Sequence, residues 1–197
     1  WNDVRLPDHV VPLRYSVVFH PNLTTLFLRG QMEVIFNVQK ETNFLVFHGK
    51  NLTLTVVMVK DRNQREVLTT RILYYPYHQQ IYLELKSYLV PGSNYSLALR
   101  YEGHVRTDME GLYLSSYRAP NGMKRYLATT HFQPTSARSA FPCWDEPQYK
   151  TRFKISAVRQ RNFLALSNMP LDNTEDVSIF WGPGLVSESV CPSRSKA

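Results

Sequence analysis

Residues 95–101 read Tyr95-Ser96-Leu97-Ala98-Leu99-Arg100-Tyr101. Large apolar side chains alternate with small or polar ones, the period of a strand with one buried face. The same period recurs on the N-terminal side of this stretch. Ile81, Leu83 and Leu85 alternate with Tyr82 and Glu84; Leu52, Leu54, Val56 and Met58 alternate with Thr53, Thr55, Val57 and Val59; Val34, Phe36 and Val38 repeat the pattern. Shorter candidates lie at 15–19, 44–47, 126–129, 153–158 and 163–166. Turn formers separate them, among them Pro21-Asn22, His48-Gly49-Lys50, Asp61-Arg62-Asn63, Pro91-Gly92-Ser93 and Pro120-Asn121-Gly122. Many short strands at regular spacing predict an all-β chain folded as a β-sandwich, with no convincing helix in any window.

Composition agrees. The 197 residues are 43% hydrophobic, 20% charged and 13% aromatic, the balance of a globular domain that buries its own core. Two cysteines exclude a disulfide-rich mini-fold and a cysteine-based zinc finger. No apolar run approaches the ~18 residues of a membrane span. The net charge of +7 raises the question of nucleic acid, but the basic residues are scattered. In the densest stretch Lys150, Arg152 and Lys154 alternate with Thr151, Phe153 and Ile155, which reads as the solvated face of a strand. No nucleic-acid partner is expected, because no recognition-helix or zinc-finger spacing accompanies the charge.

The chain begins at Trp1 without a basic and apolar leader, as a processed or trimmed form would. Asn22, Asn51 and Asn94 each open an acceptor sequon, a mild excess over chance that points toward a glycosylated chain. Cys143 and Cys191 have three options: pairing, free thiols, or bonds between chains. The six histidines, at 9, 20, 48, 78, 104 and 131, never fall three or four residues apart, and H-E-x-x-H is absent, so no metal site is expected. Cys143 with His131 invites a nucleophile-and-base reading; a cysteine in a β-rich domain is read instead as a small buried hydrophobe.

Residues 109–154 carry three ordered motifs. Gly111-Leu112-Tyr113-Leu114-Ser115-Ser116-Tyr117 is followed by Phe132-Gln133-Pro134-Thr135-Ser136-Ala137-Arg138 and then by Phe141-Pro142-Cys143-Trp144-Asp145-Glu146-Pro147. With Arg5-Leu6-Pro7 and Arg14-Tyr15 at the start and Ser167-Asn168-Met169-Pro170 near the end, the chain resembles the N-terminal domain of the aminopeptidase N-like zinc metallopeptidases. It is most similar to the endoplasmic-reticulum and insulin-regulated branch. The resemblance implies a twisted, saddle-like β-sandwich over 1–171, and leaves 172–197 as a divergent, loose tail. It implies that zinc, its ligands and the general-base glutamate belong to a catalytic domain outside this chain, so that the chain itself holds no catalytic residue and no cofactor. It implies that Gln133 reaches the active site and anchors the α-amine of a peptide substrate; in isolation Gln133 is expected to cap a loop and bind nothing. His131 stands where relatives often carry Gln, near the substrate-facing stretch.

The remaining motif residues have structural readings. Asp145 and Glu146 are expected to pair with Arg138 and tie the loop down; Pro142 and Pro147 to fix its backbone; Phe141, Trp144, Tyr113 and Tyr117 to pack. Two functions follow. One is a non-catalytic binding module, secreted or lumenal, that partners a full-length aminopeptidase or itself through the side of Gln133 and Phe141, with Cys191 available for a covalent link. The other is part of an active zinc aminopeptidase that removes N-terminal residues from peptides. A basic sandwich that binds anionic glycans is a third, weaker reading.

Overall fold

The computed structural model describes residues 3–179 and 182–191, with side chains through 175. Among these the chain forms β1 (Val10–Pro21), β2 (Phe27–Val38), β3 (Thr42–His48), β4 (Thr53–Asp61), β5 (Glu66–Val67), β6 (Thr69–Tyr75), β7 (Gln80–Leu89), β8 (Asn94–His104), β9 (Gly111–Arg118), β10 (Lys124–His131), β11 (Arg152–Arg159), β12 (Asn173–Ile179) and β13 (Gly182–Cys191). The only helical element among the described residues is a single 3₁₀ turn, Ala137–Ser139.

A large sheet has the order β12-β13-β11-β1-β2-β8-β4-β5, a small one β3-β7-β6, and β9 and β10 form a separate hairpin. Among the named strands of the described residues pairing is antiparallel except between β1 and β11, which run parallel. The alternation read at 95–101 becomes the inward face of β8. Leu97, Leu99 and Tyr101 there join Met32, Val34 and Phe36 of β2. They share one buried cluster with Leu45 and Phe47 of β3 and Ile81, Leu83 and Leu85 of β7. This is the sandwich, and each fully buried aliphatic or aromatic side chain adds roughly 1.5–3 kcal/mol of transfer free energy.

Two bulges change the phase of the alternation. The β1–β2 register shifts between Pro12 and Arg14, a place where a residue without an N–H interrupts the ladder. Val10 and Pro12 face inward before the shift, Tyr15, Val17 and Phe19 after it, and Leu13 is pushed out. In β4 the register shifts between Leu54 and Val56. The alternation begun by Leu52 and Leu54 therefore does not continue through Val56 and Met58; Val59 is the fully buried residue and Val56 is exposed. Across the sandwich Tyr74 of β6 accepts the Leu54 N–H through its hydroxyl at 3.1 Å.

Three segments differ from the sequence reading. Residues 163–166 form no strand: both edges of β11 are taken by β1 and β13, and the chain instead turns, with the Phe163 N–H donating to the Gln160 carbonyl at 3.1 Å. Leu164 and Leu166 are consequently exposed. Strand β6 was not legible, because its residues are mostly exposed and show no alternation. Residues 173–179 and 182–191, expected as part of a loose tail, pair as a hairpin that extends the large sheet from β11. The rest of that tail, 192–197, lies outside the described residues, as do 1, 2, 180 and 181.

Gly30 of β2 sits beneath the ring of Tyr101, its register partner on β8. A Cβ at Gly30 would lie 2.0 Å from Tyr101 Cζ, and the ring is walled in by the core. Gly30→Ala is expected to destabilise the fold by about 1–3 kcal/mol through overpacking, read by urea unfolding. Tyr101→Phe should be neutral or mildly stabilising, since the buried hydroxyl has no partner among the described residues. Unchanged stability of the Gly30 variant would contradict this packing.

Candidate functional site

The hairpin β9–β10 leads directly into the loop that carries Gln133. At its base Gly111 has φ of 64°, and a Cβ there would lie 2.0 Å from Ser139 Oγ and 3.1 Å from the Ser136 carbonyl oxygen. Glycine is thus needed twice, for the left-handed backbone and for the close approach. It lets the start of β9 lie against the turn at 136–139, where Ser139 Oγ donates to the Ser136 carbonyl at 2.7 Å. Ser136 N–H in turn donates to the Phe132 carbonyl at 2.8 Å. Gln133 projects from this supported turn, preceding a cis peptide to Pro134. Its side chain is exposed and caps no backbone group among the described residues.

The turn is anchored from behind. Arg138 is buried, and its Nε donates to Asp145 Oδ2 at 2.9 Å while Nη2 donates to the Asp145 carbonyl at 3.0 Å. This is the expected tie, and charge assistance in a partly buried setting strengthens it. Glu146 does not join it. Its Oε1 accepts the Leu6 N–H at 2.7 Å, its Oε2 accepts from Gln148 Nε2 at 2.6 Å, and Arg5 approaches to 4.0 Å. The carboxylate follows Asp145 on the opposite side of the chain, so it holds the N-terminal Arg5-Leu6-Pro7 segment instead. Tyr149 Oη donates to the Pro7 carbonyl at 3.5 Å on the same side.

Between these ties the aromatic residues pack. Trp144 lies against Phe36 of the large sheet and Phe47 of the small one, and its backbone N–H donates to Tyr15 Oη at 3.1 Å. Phe141 meets Tyr15, Phe19, Phe132 and Phe153 edge-on and is 4% exposed. Phe141 is therefore core, and the surface expected beside Gln133 does not include it. Cys143 is a buried free thiol, and burial raises its pKa well above the usual thiol range. Its backbone pairs with His48 in both directions, at 2.8 and 3.0 Å. His131 is exposed on the hairpin, with Nδ1 3.3 Å from the Met109 carbonyl. The nucleophile-and-base pair is not assembled. The side chain of Cys191 lies outside the described residues.

His48, read from sequence only as part of a turn, closes β3 and is buried. Asp145 N–H donates to its Nδ1 at 3.3 Å, which requires that nitrogen to be unprotonated. Burial first, and the Arg138 charge second, lower the His48 pKa to about 3. The three sequon asparagines are all exposed. Asn22 Oδ1 accepts from the Thr24 and Thr25 N–H groups at 2.9 and 3.0 Å, and Asn94 Oδ1 accepts from Asn37 Nδ2 at 2.8 Å. Among the described residues no group of three or more His, Cys, Asp or Glu is placed to hold a metal ion.

The described residues thus form a β-sandwich with the motif loop buried against both of its sheets. The sequence matches the Peptidase M1 N-terminal domain over residues 11–181, and the chain belongs to that family. It is 36% identical over 181 residues to mouse endoplasmic reticulum aminopeptidase 1, covering 90% of this chain and 19% of that protein. It is 37% identical over 174 residues to human endoplasmic reticulum aminopeptidase 2, covering 86% of this chain and 18% of that protein. It is 33% identical over 189 residues to the rat thyrotropin-releasing hormone-degrading ectoenzyme, covering 95% of this chain and 17% of that protein. The chain thus spans less than a fifth of the relatives' length.

The His48 contact has a measurable consequence. Its pKa is lower folded (about 3) than unfolded (6.5), so unfolding takes up a proton between those values. The stabilising contribution is complete above pH 6.5 and is lost as pH falls toward 3, at up to about 1.4 kcal/mol per pH unit. His48→Gln keeps an acceptor for the Asp145 N–H but does not titrate. Denaturation measured from pH 7 to 4 should show a flatter stability profile for the variant than for the parent; parallel profiles would rule out this assignment.

Proposed function

We propose that the chain works as the wall of a zinc aminopeptidase that receives the substrate's free α-amine, against a catalytic domain that carries the metal. The observation that supports this is Gln133: an exposed amide without an intramolecular partner among the described residues, on a turn held by Gly111, Ser139 and the Arg138–Asp145 tie. An amide oxygen accepts from an ammonium group, and its NH₂ can meet a peptide carbonyl. His131, two residues away on the exposed end of β10, is positioned by sequence to influence the adjoining side chain of the substrate. On this reading the chain alone removes no residues from peptides.

The surface around the hairpin supports a contact role. Met109 at the base of the hairpin, Met123 at its tip, and Tyr117 and Tyr126 on its two faces are each more than half exposed, apolar area that a partner domain would cover. The occupant on this reading is the catalytic domain of an aminopeptidase. Relatives named as endoplasmic-reticulum aminopeptidases and an ectoenzyme, together with three exposed sequons, support a lumenal or extracellular, glycosylated protein.

The test uses the enzyme that contains this chain together with its H-E-x-x-H segment. Gln133→Ala should lower kcat/KM for unblocked aminoacyl substrates by roughly 10- to 100-fold, the worth of one hydrogen bond to a charged group. Gln133→Glu should restore or improve it, because a carboxylate makes the charge-assisted bond. An N-acetylated peptide used as a competitive ligand should bind the parent and both variants alike. An unchanged kcat/KM in Gln133→Ala, or an equal loss for the blocked ligand, would defeat the assignment.

A further inference from the structure

We propose that the outer face of β1 and β11 binds a sulfated polysaccharide, with Arg14 and Arg152 as adjacent sulfate contacts. The two strands run parallel with Arg14 and Arg152 in register, so their side chains leave the sheet on the same face about 4.8 Å apart at the backbone. Both are exposed, and neither forms an ion pair among the described residues. Their inward neighbours Tyr15 and Phe153 stack at 4.9 Å with planes 4° apart, which pins the pair outward. Lys154 follows on the same face of β11, beside Ser16, and Lys150 precedes the strand.

Like charges set side by side on a sheet oppose folding. Carboxylates relieve other cations of this sheet, as Glu102 does Arg29 at 3.6 Å. On β2, the next strand, Arg14 faces Ile35, and Glu33 is displaced to the position opposite Ser16. An external anion is therefore the natural counter-charge. Two exposed cations in register about 4.8 Å apart at the backbone suit a linear polymer bearing closely spaced sulfates. The chain's net charge of +7 adds long-range attraction. The choice of a glycan over a nucleic acid rests on the lumenal or extracellular placement proposed above; the charge pair itself does not depend on the Gln133 reading.

The experiment titrates a heparin dodecasaccharide into the purified chain by calorimetry at several salt concentrations. The parent should bind with an affinity that falls as salt rises. Arg14→Gln/Arg152→Gln should weaken binding about tenfold and remove about two ions from the salt slope. Arg62→Gln/Arg65→Gln removes the same charge from the exposed β4–β5 turn and should leave binding unchanged. Without ligand, the first double variant should melt at or above the parent temperature, since a repulsion is gone. Equal weakening by both variants, no binding by the parent, or a lower melting temperature in the first variant would overturn the site. Tighter binding of a single-stranded oligonucleotide of equal charge would overturn the choice of polysaccharide.

Discussion

Residues 138–146 cross the interior without being a strand of either sheet. A backbone that leaves water without a ladder must find a partner for each polar group, and the surrounding architecture is arranged to supply them. Ala140 and Phe141 N–H groups return to the Ala137 carbonyl. Pro142 has no N–H to satisfy. Cys143 exchanges both of its backbone bonds with His48, Trp144 N–H finds Tyr15 Oη, and Asp145 N–H finds His48 Nδ1. The Arg138 carbonyl takes the Lys50 N–H at 2.8 Å. These partners lie in β1, at or just beyond the end of β3, and in the turn that leads into the segment, so the loop is seated only once the sandwich is closed.

That dependence runs both ways. Trp144 fills space between Phe36 and Phe47, residues of opposite sheets, and Glu146 takes hold of Leu6 N–H 140 positions away. The N-terminal segment, the two sheets and the motif loop therefore form one cooperative unit. Within it, Arg138 and Asp145 are each expensive to remove singly, because the survivor would be left as an unpaired charge in a partly dry site. The rigidity so produced is what the amine contact proposed for Gln133 requires: the side chain is exposed, but the backbone a few residues behind it is not free to drift.

Much of the sandwich was legible because β2, β7 and β8 are half-buried along most of their length, and a two-sided environment imposes a two-residue period. Where the environment changes, so did the reading. Bulges at Leu13 and Thr55 invert the inward face in β1 and β4, and single-residue insertions leave no mark in an alternation except a slip that looks like noise. Strand β6 lies at the edge of the small sheet and is mostly exposed, so nothing forces its side chains to alternate. At the motif loop, Arg138 and Asp145 could be paired from sequence because they are close along the chain. The partner of Glu146 could not, since a backbone N–H has no residue type to advertise it. His48 was equally hidden: its role comes from burial beside Arg138, and burial is a property of the assembled sheets.

The identity of residue 133 bears on how the proposed amine contact would behave with pH. A carboxylate at this position favours the ammonium form of the substrate and loses its charge-assisted bond when the amine deprotonates, near the α-amino pKa of about 7.7–8.0. The amide of Gln133 carries no charge and has both an acceptor oxygen and donor hydrogens. Rotation about its last torsion presents the oxygen to an ammonium group or an N–H to the lone pair of a neutral amine. It would thus hold either form, more weakly than a carboxylate holds the cation but with less dependence on pH. A neutral side chain also needs no compensating charge on the turn. That accords with a loop whose nearest buried cation, Arg138, is already committed to Asp145.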